Sequence, residues 1–454
     1  MTPIALGLRR ELLLDEFLIE RMAGVTLTLH APTPREVAIV HDQPWEGNVS
    51  YYHTVFREGE RLRMYYRGAH VDEQDGETHH QVVCYAESRD GLTWEKPDLG
   101  LVTFNGSRHN NIVWDGIGSH TFVPFRDENP AAPPAAQYKA IAAHKKALYA
   151  FQSADGLQWS LLQEAPIITE GAFDSQNLAF WDPLRACYVD FHRQFQSIDG
   201  DRVRDIMTCT SPDFIHWSAP RFIDYQGAPV EHLYTNQIRP YVRAPHIYLG
   251  FPKRFAPKRQ TTLDRHPGIS DIVLMSSRDG QTFKRWGEAW LRPGPQKERW
   301  INRNNFVAWG ILQTASTIPG LPDELSFYSM EGYYRGASCQ MRRYTLRQDG
   351  FVSARAPLAG GELVTKPLTV GGQRLLINFA TSAVGSIRVE VQSATGEPIP
   401  GFTLADADEL FGDEVEQTVT WRGNADLGML VNTPLRLRFV MADADLYSFV
   451  TQSA

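Results

Sequence analysis

A seven-residue pattern that returns five times constrains this chain more than anything else in it. It reads Ser88-Arg89-Asp90-Gly91-Leu92-Thr93-Trp94, Ser153-Ala154-Asp155-Gly156-Leu157-Gln158-Trp159, Ser211-Pro212-Asp213-Phe214-Ile215-His216-Trp217 and Ser277-Arg278-Asp279-Gly280-Gln281-Thr282-Phe283, with a worn fifth copy in Arg347-Gln348-Asp349-Gly350-Phe351. Successive aspartates lie 65, 58, 66 and 70 residues apart, a spacing that means repeated supersecondary units. Asp-Gly between alternating runs marks a tight hairpin, because glycine accepts the positive φ of the turn, and the aromatic that follows packs as the chain re-enters a strand.

Strand-like runs precede each copy, such as Ser50 to Phe56, Arg61 to Tyr66 and Gln81 to Glu87 in the first unit. Four strands per unit, five units and scarcely any helical period predict a five-bladed β-propeller. The blades are placed at 46–105, 115–168, 172–228, 231–294 and 300–352. From about Leu358 the repeat gives way to short alternating strands with Gly, Pro and Asp turns, such as Arg374 to Ala380 and Leu435 to Met441. The expected fold is therefore all-β: a propeller over 45–355 followed by a C-terminal β-sandwich over 356–454. Residues 1–44 are read as a segment packing on the propeller or the sandwich, with Leu12 to Ile19 a strand or short helix.

Composition narrows the function. A chain of 454 residues exceeds what one hydrophobic core usually serves, in keeping with two domains. A net charge of -8 with no long basic run argues against nucleic acid as the partner. No stretch is long and apolar enough for a membrane helix, and the N-terminus shows no basic region ahead of an apolar one, so no membrane partner and a cytoplasmic location are expected. Cys84, Cys187, Cys209 and Cys339 lie far apart in apolar runs and read as reduced core thiols. The adjacent His79 and His80 have no third ligand implied by spacing, so neither a metal nor a cofactor is expected.

In a propeller the innermost strands start at one face and converge on the axis, whereas the Asp-Gly turns lie on the opposite face. The five starts are Trp45 to Ser50, Asp115 to His120, Phe173 to Asn177, Glu231 to Gln237, and Asn302 to Asn305, each polar ahead of an apolar strand. Polar residues converging on one hollow point to a binding or catalytic mouth. The blade count and the following sandwich resemble the superfamily of five-bladed glycosidases that includes invertases and levanases, arabinanases and xylosidases, and mannoside phosphorylases. The resemblance implies two or three carboxylates at inner-strand starts and a carbohydrate substrate. The W-M-N-D-P-N and E-C motifs of invertases are absent, and Phe125-Arg126-Asp127, which looks like their arginine-aspartate element, falls at the turn face on this blade count.

Cleaving a glycosidic bond takes one carboxylic acid to protonate the leaving oxygen and a second carboxylate as base or nucleophile. Glu231 is assigned as the acid and Asp174 as base or nucleophile, with Glu46 as third candidate and Asp42 and Asp115 in reserve. Trp45 could stack on a sugar face; Asn177, Asn236 and Asn304 are suited to sugar hydroxyls; His120 stands at a blade start and Glu324 could reach over the rim. Arg67, Arg193, Arg254 and Arg303 gather at the same face, as they would for an anionic sugar or phosphate, or simply to pair with the acids. The expected activity is glycoside hydrolysis on a small oligosaccharide, and the arginines leave room for an anionic one. The alternatives are a phosphorylase, a lyase on uronic sugars, or a propeller that binds carbohydrate without turnover; the sequence is silent on oligomeric state.

Overall fold

The computed structural model describes residues 2–261 and 267–453, and it shows five four-stranded or larger sheets around an axis with a ten-stranded sheet beside them. Among the described residues the only helices are four short 3-10 turns, and no helix is long and apolar enough to cross a membrane. Blade one runs Tyr51–Glu58, Arg61–Gly68, Val82–Ser88 and Ile112–Trp114; blade two Val123–Arg126, Tyr138–His144, Ala147–Ser153 and Ser160–Leu161. Blade three runs Leu178–Asp182, Cys187–Ile198, Asp201–Ser211 and Arg221–Phe222. Blade four has a broken inner edge, His232–Leu233 and Arg239–Tyr241, followed by Ala244–Gly250, Lys253–Ala256, Ile269–Ser277 and Lys284–Leu291.

The repeat does in space what its residues dictate. Ser88 Oγ accepts the Gly91 N–H at 2.8 Å, and Asp90 Oδ1 accepts the N–H groups of Leu92 and Thr93 at 2.8 and 3.0 Å. The same bonds recur at Asp155, Asp213 and Asp279. Each aspartate thus satisfies backbone donors that the tight turn would otherwise leave orphaned. Glycine takes φ 77° at Gly91 and Gly156, and Phe214, which stands in the third copy's glycine place, is held at φ 71° by burial against Phe125 and Tyr188. Packing there outweighs the left-handed strain.

Blade five is built from both ends of the chain. Leu312–Thr314, Glu324–Glu331 and Gln340–Arg347 are joined on the outside by Thr33–Val40, whose Val40 pairs with Gln340 and Thr33 with Thr345. The leading 44 residues are therefore divided: Thr33–Val40 closes the propeller, while Ile4–Gly7, Glu11–Leu12, Ile19–Ala23 and Thr26–Leu29 join the ten-stranded sheet. Residues 13–18 form neither strand nor helix, 14–18 being bends. Near the axis the ring closes a second time. Val55 N–H donates to the Trp309 carbonyl and Trp309 N–H to the His53 carbonyl, both at 2.8 Å. Gly310, at φ 127°, lies so close that a Cβ there would collide with the Val55 carbonyl oxygen.

The sandwich is made by two long paired strands, Arg374–Ser393 and Leu435–Gln452, whose pairing slips between Thr381 and Ser386 so that each half contributes to one apolar core. The fifth turn copy was reassigned to the domain junction. Asp349 is fully buried and takes Arg10 Nη1 at 3.3 Å, Arg243 Nε at 3.0 Å, and the hydroxyls of Tyr241 and Ser448 at 2.7 Å each. The two guanidiniums hold its carboxyl below the usual range against the opposing effect of burial.

Two outcomes follow from these joints. Gly310→Ala should cost about 2–4 kcal/mol through backbone collision and strain, seen as a lower melting temperature; a variant that melts with the parent contradicts the axial closure. Asp349→Ala leaves two buried guanidiniums without their shared carboxylate and should cost about 3–5 kcal/mol. A denaturation midpoint unchanged from the parent would contradict that.

Candidate functional site

Inner-strand starts from blades three, four and five meet in a small cavity of about 100 Å³ on the face opposite the Asp-Gly turns. Asp174, at the start of blade three, presents a carboxylate that is 75% exposed. His120, on the 3-10 turn Ser119–Thr121 ahead of blade two, fixes it with a ring nitrogen 3.1 Å from Oδ1. That hydrogen bond, helped by the charges of Arg193 and Arg303, lowers the Asp174 carboxyl to about 2, so it is ionised at neutral pH. Burial pushes the His120 imidazole down, and only Asp174 and the more distant Glu77 pull it back up. Arg67 Nη1 reaches the other face of the ring at 3.1 Å from Nδ1.

Four cations wall the same cavity: Arg193, Arg204, Lys253 and Arg303. Among the described residues none of them forms an ion pair; aromatic faces hold them instead. Lys253 Nζ lies over the rings of Tyr234 at 5.2 Å and Tyr51 at 5.7 Å and donates to Tyr51 Oη at 3.2 Å. Arg193 lies over Tyr234 at 5.1 Å, Arg204 over Phe255 at 5.2 Å, and Arg303 over Tyr334 at 5.1 Å. A ring quadrupole attracts a cation by about 0.5–2 kcal/mol without cancelling its charge. Burial, aggravated by Arg303 and Arg204, pushes the Lys253 amine well below its ordinary range. The result is a pocket in which three guanidiniums and the Lys253 amine face a single carboxylate among the described residues, Asp174, an excess of basic groups suited to receiving a carboxylate, sulfate or phosphate. Asp174 and Arg193 also line a larger, open groove of about 980 Å³ running outward over blades two and three, with Asp115 in its wall.

The other residues singled out from sequence divide sharply. Arg67 is buried, donating to the Val49 carbonyl at 2.7 Å and to Tyr333 Oη at 3.0 Å, and supports His120 from behind. Glu231 lies elsewhere: it lines a separate cavity of about 220 Å³ with Asp205 and is bound by Arg285 and, at 3.0 Å, by Arg254. Arg254 is in turn forked onto Asp271 at 2.8 and 2.7 Å, so it serves the blade rather than the cavity. Asp174 and Glu231, expected as a pair, therefore do not share a pocket. Glu46 has a fully buried carboxylate fixed by Lys96 Nζ and Tyr66 Oη, both at 2.5 Å, and burial raises its carboxyl. Trp45 packs in blade one with its indole N–H on Asn111 at 2.6 Å.

Asn177, Asn236 and Asn304 are all buried and spend their amides on backbone: Asn177 on the Phe173 carbonyl, Asn236 on the Phe191 carbonyl and the Ile238 N–H, Asn304 on the Tyr333 N–H. Glu324 pairs with Arg343 at 2.9 Å at the strand end opposite Thr314, beside the Gly91 turn, and so faces away from the cavity. Asp127 also sits at the turn face, ion-paired with Lys139 and 2.7 Å from Tyr188 Oη, as a joint between blades two and three.

Sequence reasoning missed Lys253, Arg204 and Tyr234, along with Tyr52, whose hydroxyl lies 2.6 Å from Tyr234 Oη behind the cavity wall. Strand alternation is the signal that could have found Lys253: within Lys253–Ala256 adjacent side chains take opposite faces, and choosing Arg254 selected the outward one. The only cluster among the described residues with metal-ligand geometry is Asp190, His192 and Cys209, buried within blade three and away from this cavity.

No family model matches the chain, and no curated protein matches it. Solved structures do. A fructofuranosidase from Schwanniomyces occidentalis is 10% identical, covering 93% of this chain and 96% of its own, with a TM-score of 0.39. The catalytic domain of an alpha-L-arabinofuranosidase from Coprinopsis cinerea is 9% identical over 70% of this chain and 97% of its own, TM-score 0.44. An N-acetylgalactosamine deacetylase from F. plautii is 12% identical over 71% and 96%, TM-score 0.44. At such identities and scores nothing about the reaction follows.

Replacing Asp174 with Asn removes the contact that draws the His120 imidazole upward, so His120 should titrate at still lower pH. Histidine NMR across pH 4–8 reads this directly, and an unmoved His120 titration contradicts the dyad.

Proposed function

We propose that this chain cleaves a glycosidic bond in an oligosaccharide whose reacting sugar carries an anionic group, with Asp174 as the carboxylate at the reacting centre. The observation that carries the reading is the meeting of an ionised, exposed Asp174 with a pocket walled by four basic side chains and by no other carboxylate among the described residues. The four cations would grip the sugar's carboxylate or sulfate, fixing the ring beside Asp174, and fixing geometry is itself a large part of catalysis. One Asp174 oxygen is held by His120, which leaves the other to act as base or nucleophile.

A second reading is favoured by one specific observation: Asp174 is the sole carboxylate lining the axial cavity among the described residues. Hydrolysis takes two carboxylates, whereas phosphorolysis takes one carboxylic acid and a phosphate dianion as nucleophile. Phosphate in the cation pocket would offset Arg193 and Arg303 and so relax the smaller part of the Asp174 depression, moving that carboxyl toward the acid form; the larger part, from the His120 hydrogen bond, would remain.

Product release from neutral, uronate and sulfated oligosaccharides, each with and without inorganic phosphate, tests both. Turnover of the anionic substrates without phosphate supports the first reading, and turnover only with phosphate the second; no release from any of them contradicts both. In the active assay Asp174→Asn should lower kcat by about 10²- to 10⁴-fold. Glu231→Gln should change kcat less than about tenfold, and the reverse ranking would return Glu231 to the centre.

A further inference from the structure

The groove outside the axial pocket has a charge pattern of its own, against the grain of the molecule. The protein carries a net charge of -8, yet the groove wall includes Lys145, Lys146, Arg193 and Arg202 against Asp115 and Asp174, the latter already engaged by His120. Lys145 and Lys146 form the tip of the blade-two hairpin between Tyr138–His144 and Ala147–Ser153. Both are exposed, and both are held at positive φ, 46° and 65°. A two-residue hairpin of that kind is the place for Asn-Gly or Asp-Gly, and filling it with two β-carbon-bearing cations carries a conformational cost.

Across the groove, blade three extends its second and third strands into a long hairpin, Cys187–Ile198 with Asp201–Ser211, paired out to Ile198 and Asp201. Arg202 stacks over the Phe195 ring at 3.7 Å on that extension, and Arg193 and Arg204 also lie over Phe195 at 5.2 and 5.5 Å. One aromatic thereby carries three guanidiniums from the pocket to the groove edge. Basic side chains thus run from the pocket, Arg303, Lys253, Arg204 and Arg193, out to Arg202, with Lys145 and Lys146 on the facing groove wall.

From this track we infer that the substrate is a polyanionic oligosaccharide, bearing negative charge on sugars beyond the reacting one, which lies along the groove toward Lys145 and Lys146. The inference rests on the reading that the groove leads to the reacting centre at Asp174. Uronate and sulfate supply the same chemistry to lysine and arginine, and the probes below distinguish them. Single charged residues at a solvent-exposed rim contribute modestly, so the effect should appear on joint replacement.

The test is binding by isothermal titration calorimetry, which needs no turnover. Trigalacturonate, a sulfated galactan trisaccharide and neutral galactotriose are titrated into the parent protein, into Lys145→Gln/Lys146→Gln, and into Arg126→Ala/Arg221→Ala, which removes two exposed cations outside the groove. One or both anionic probes should bind the parent at least tenfold more tightly than galactotriose, losing that advantage with added salt. The lysine double variant should weaken that binding about five- to tenfold, and the control should leave it within twofold. Equal affinity for all three probes, or an equal loss in the control, overturns the inference. Tight binding of a polyanion with no bond cleaved would instead sink the proposed reaction and leave the inference standing.

Discussion

Closure of the ring is the constraint on which the rest depends. A propeller blade is a small sheet with one apolar face turned to each neighbour, and it is stable only if the last blade meets the first. Here that meeting is made at the axis, where Trp309 and the backbone of His53 to Val55 exchange hydrogen bonds across a gap only glycine permits at 310, and at the rim, where Thr33–Val40 completes blade five. Side chains from residues 52, 120, 174, 234, 253 and 303 are brought together by that closure and by nothing local.

The mouth so formed keeps buried charge in an unusual way. Elsewhere carboxylates are met by cations: the buried Asp349 by two arginines, the buried Glu46 by Lys96, and the half-buried Glu231 by Arg254 and Arg285. At the axial cavity four basic groups are held over aromatic faces and meet one described carboxylate, Asp174, which leaves an excess of positive charge. A field kept ready in this way costs stability in the empty protein, and an anion entering the pocket would recover that cost.

Much of the fold was legible because its signals are local. Each Ser-x-Asp-Gly turn caps itself with its own side chains, so four clear copies and a worn fifth were enough to count blades and to say which face they mark. The division of residues 1–44 was not legible, since Thr33–Val40 finds its partner some 300 residues away and the pairing leaves no local trace. The site was legible as a face but not as a list. Asp174, His120, Arg193 and Arg303 were identified because they stand at inner-strand starts or strand ends on that face. Glu231 meets the same criterion and points into another cavity, because the inner strand of blade four is broken between Leu233 and Arg239. Polar residues at strand starts serve backbone donors and acceptors as readily as ligands, and Asn177, Asn236 and Asn304 do the former.

The central claim is that the axial cavity is an anion site beside an ionised carboxylate. Anomalous diffraction from crystals soaked in selenate, a heavy tetrahedral dianion, tests it most directly. A selenium peak is expected within hydrogen-bonding reach of Arg193, Lys253 and Arg303, at a site from which a sulfated or uronate monosaccharide then displaces it. Peaks confined to the outer surface, with the axial cavity empty at the same soak concentration, would contradict it.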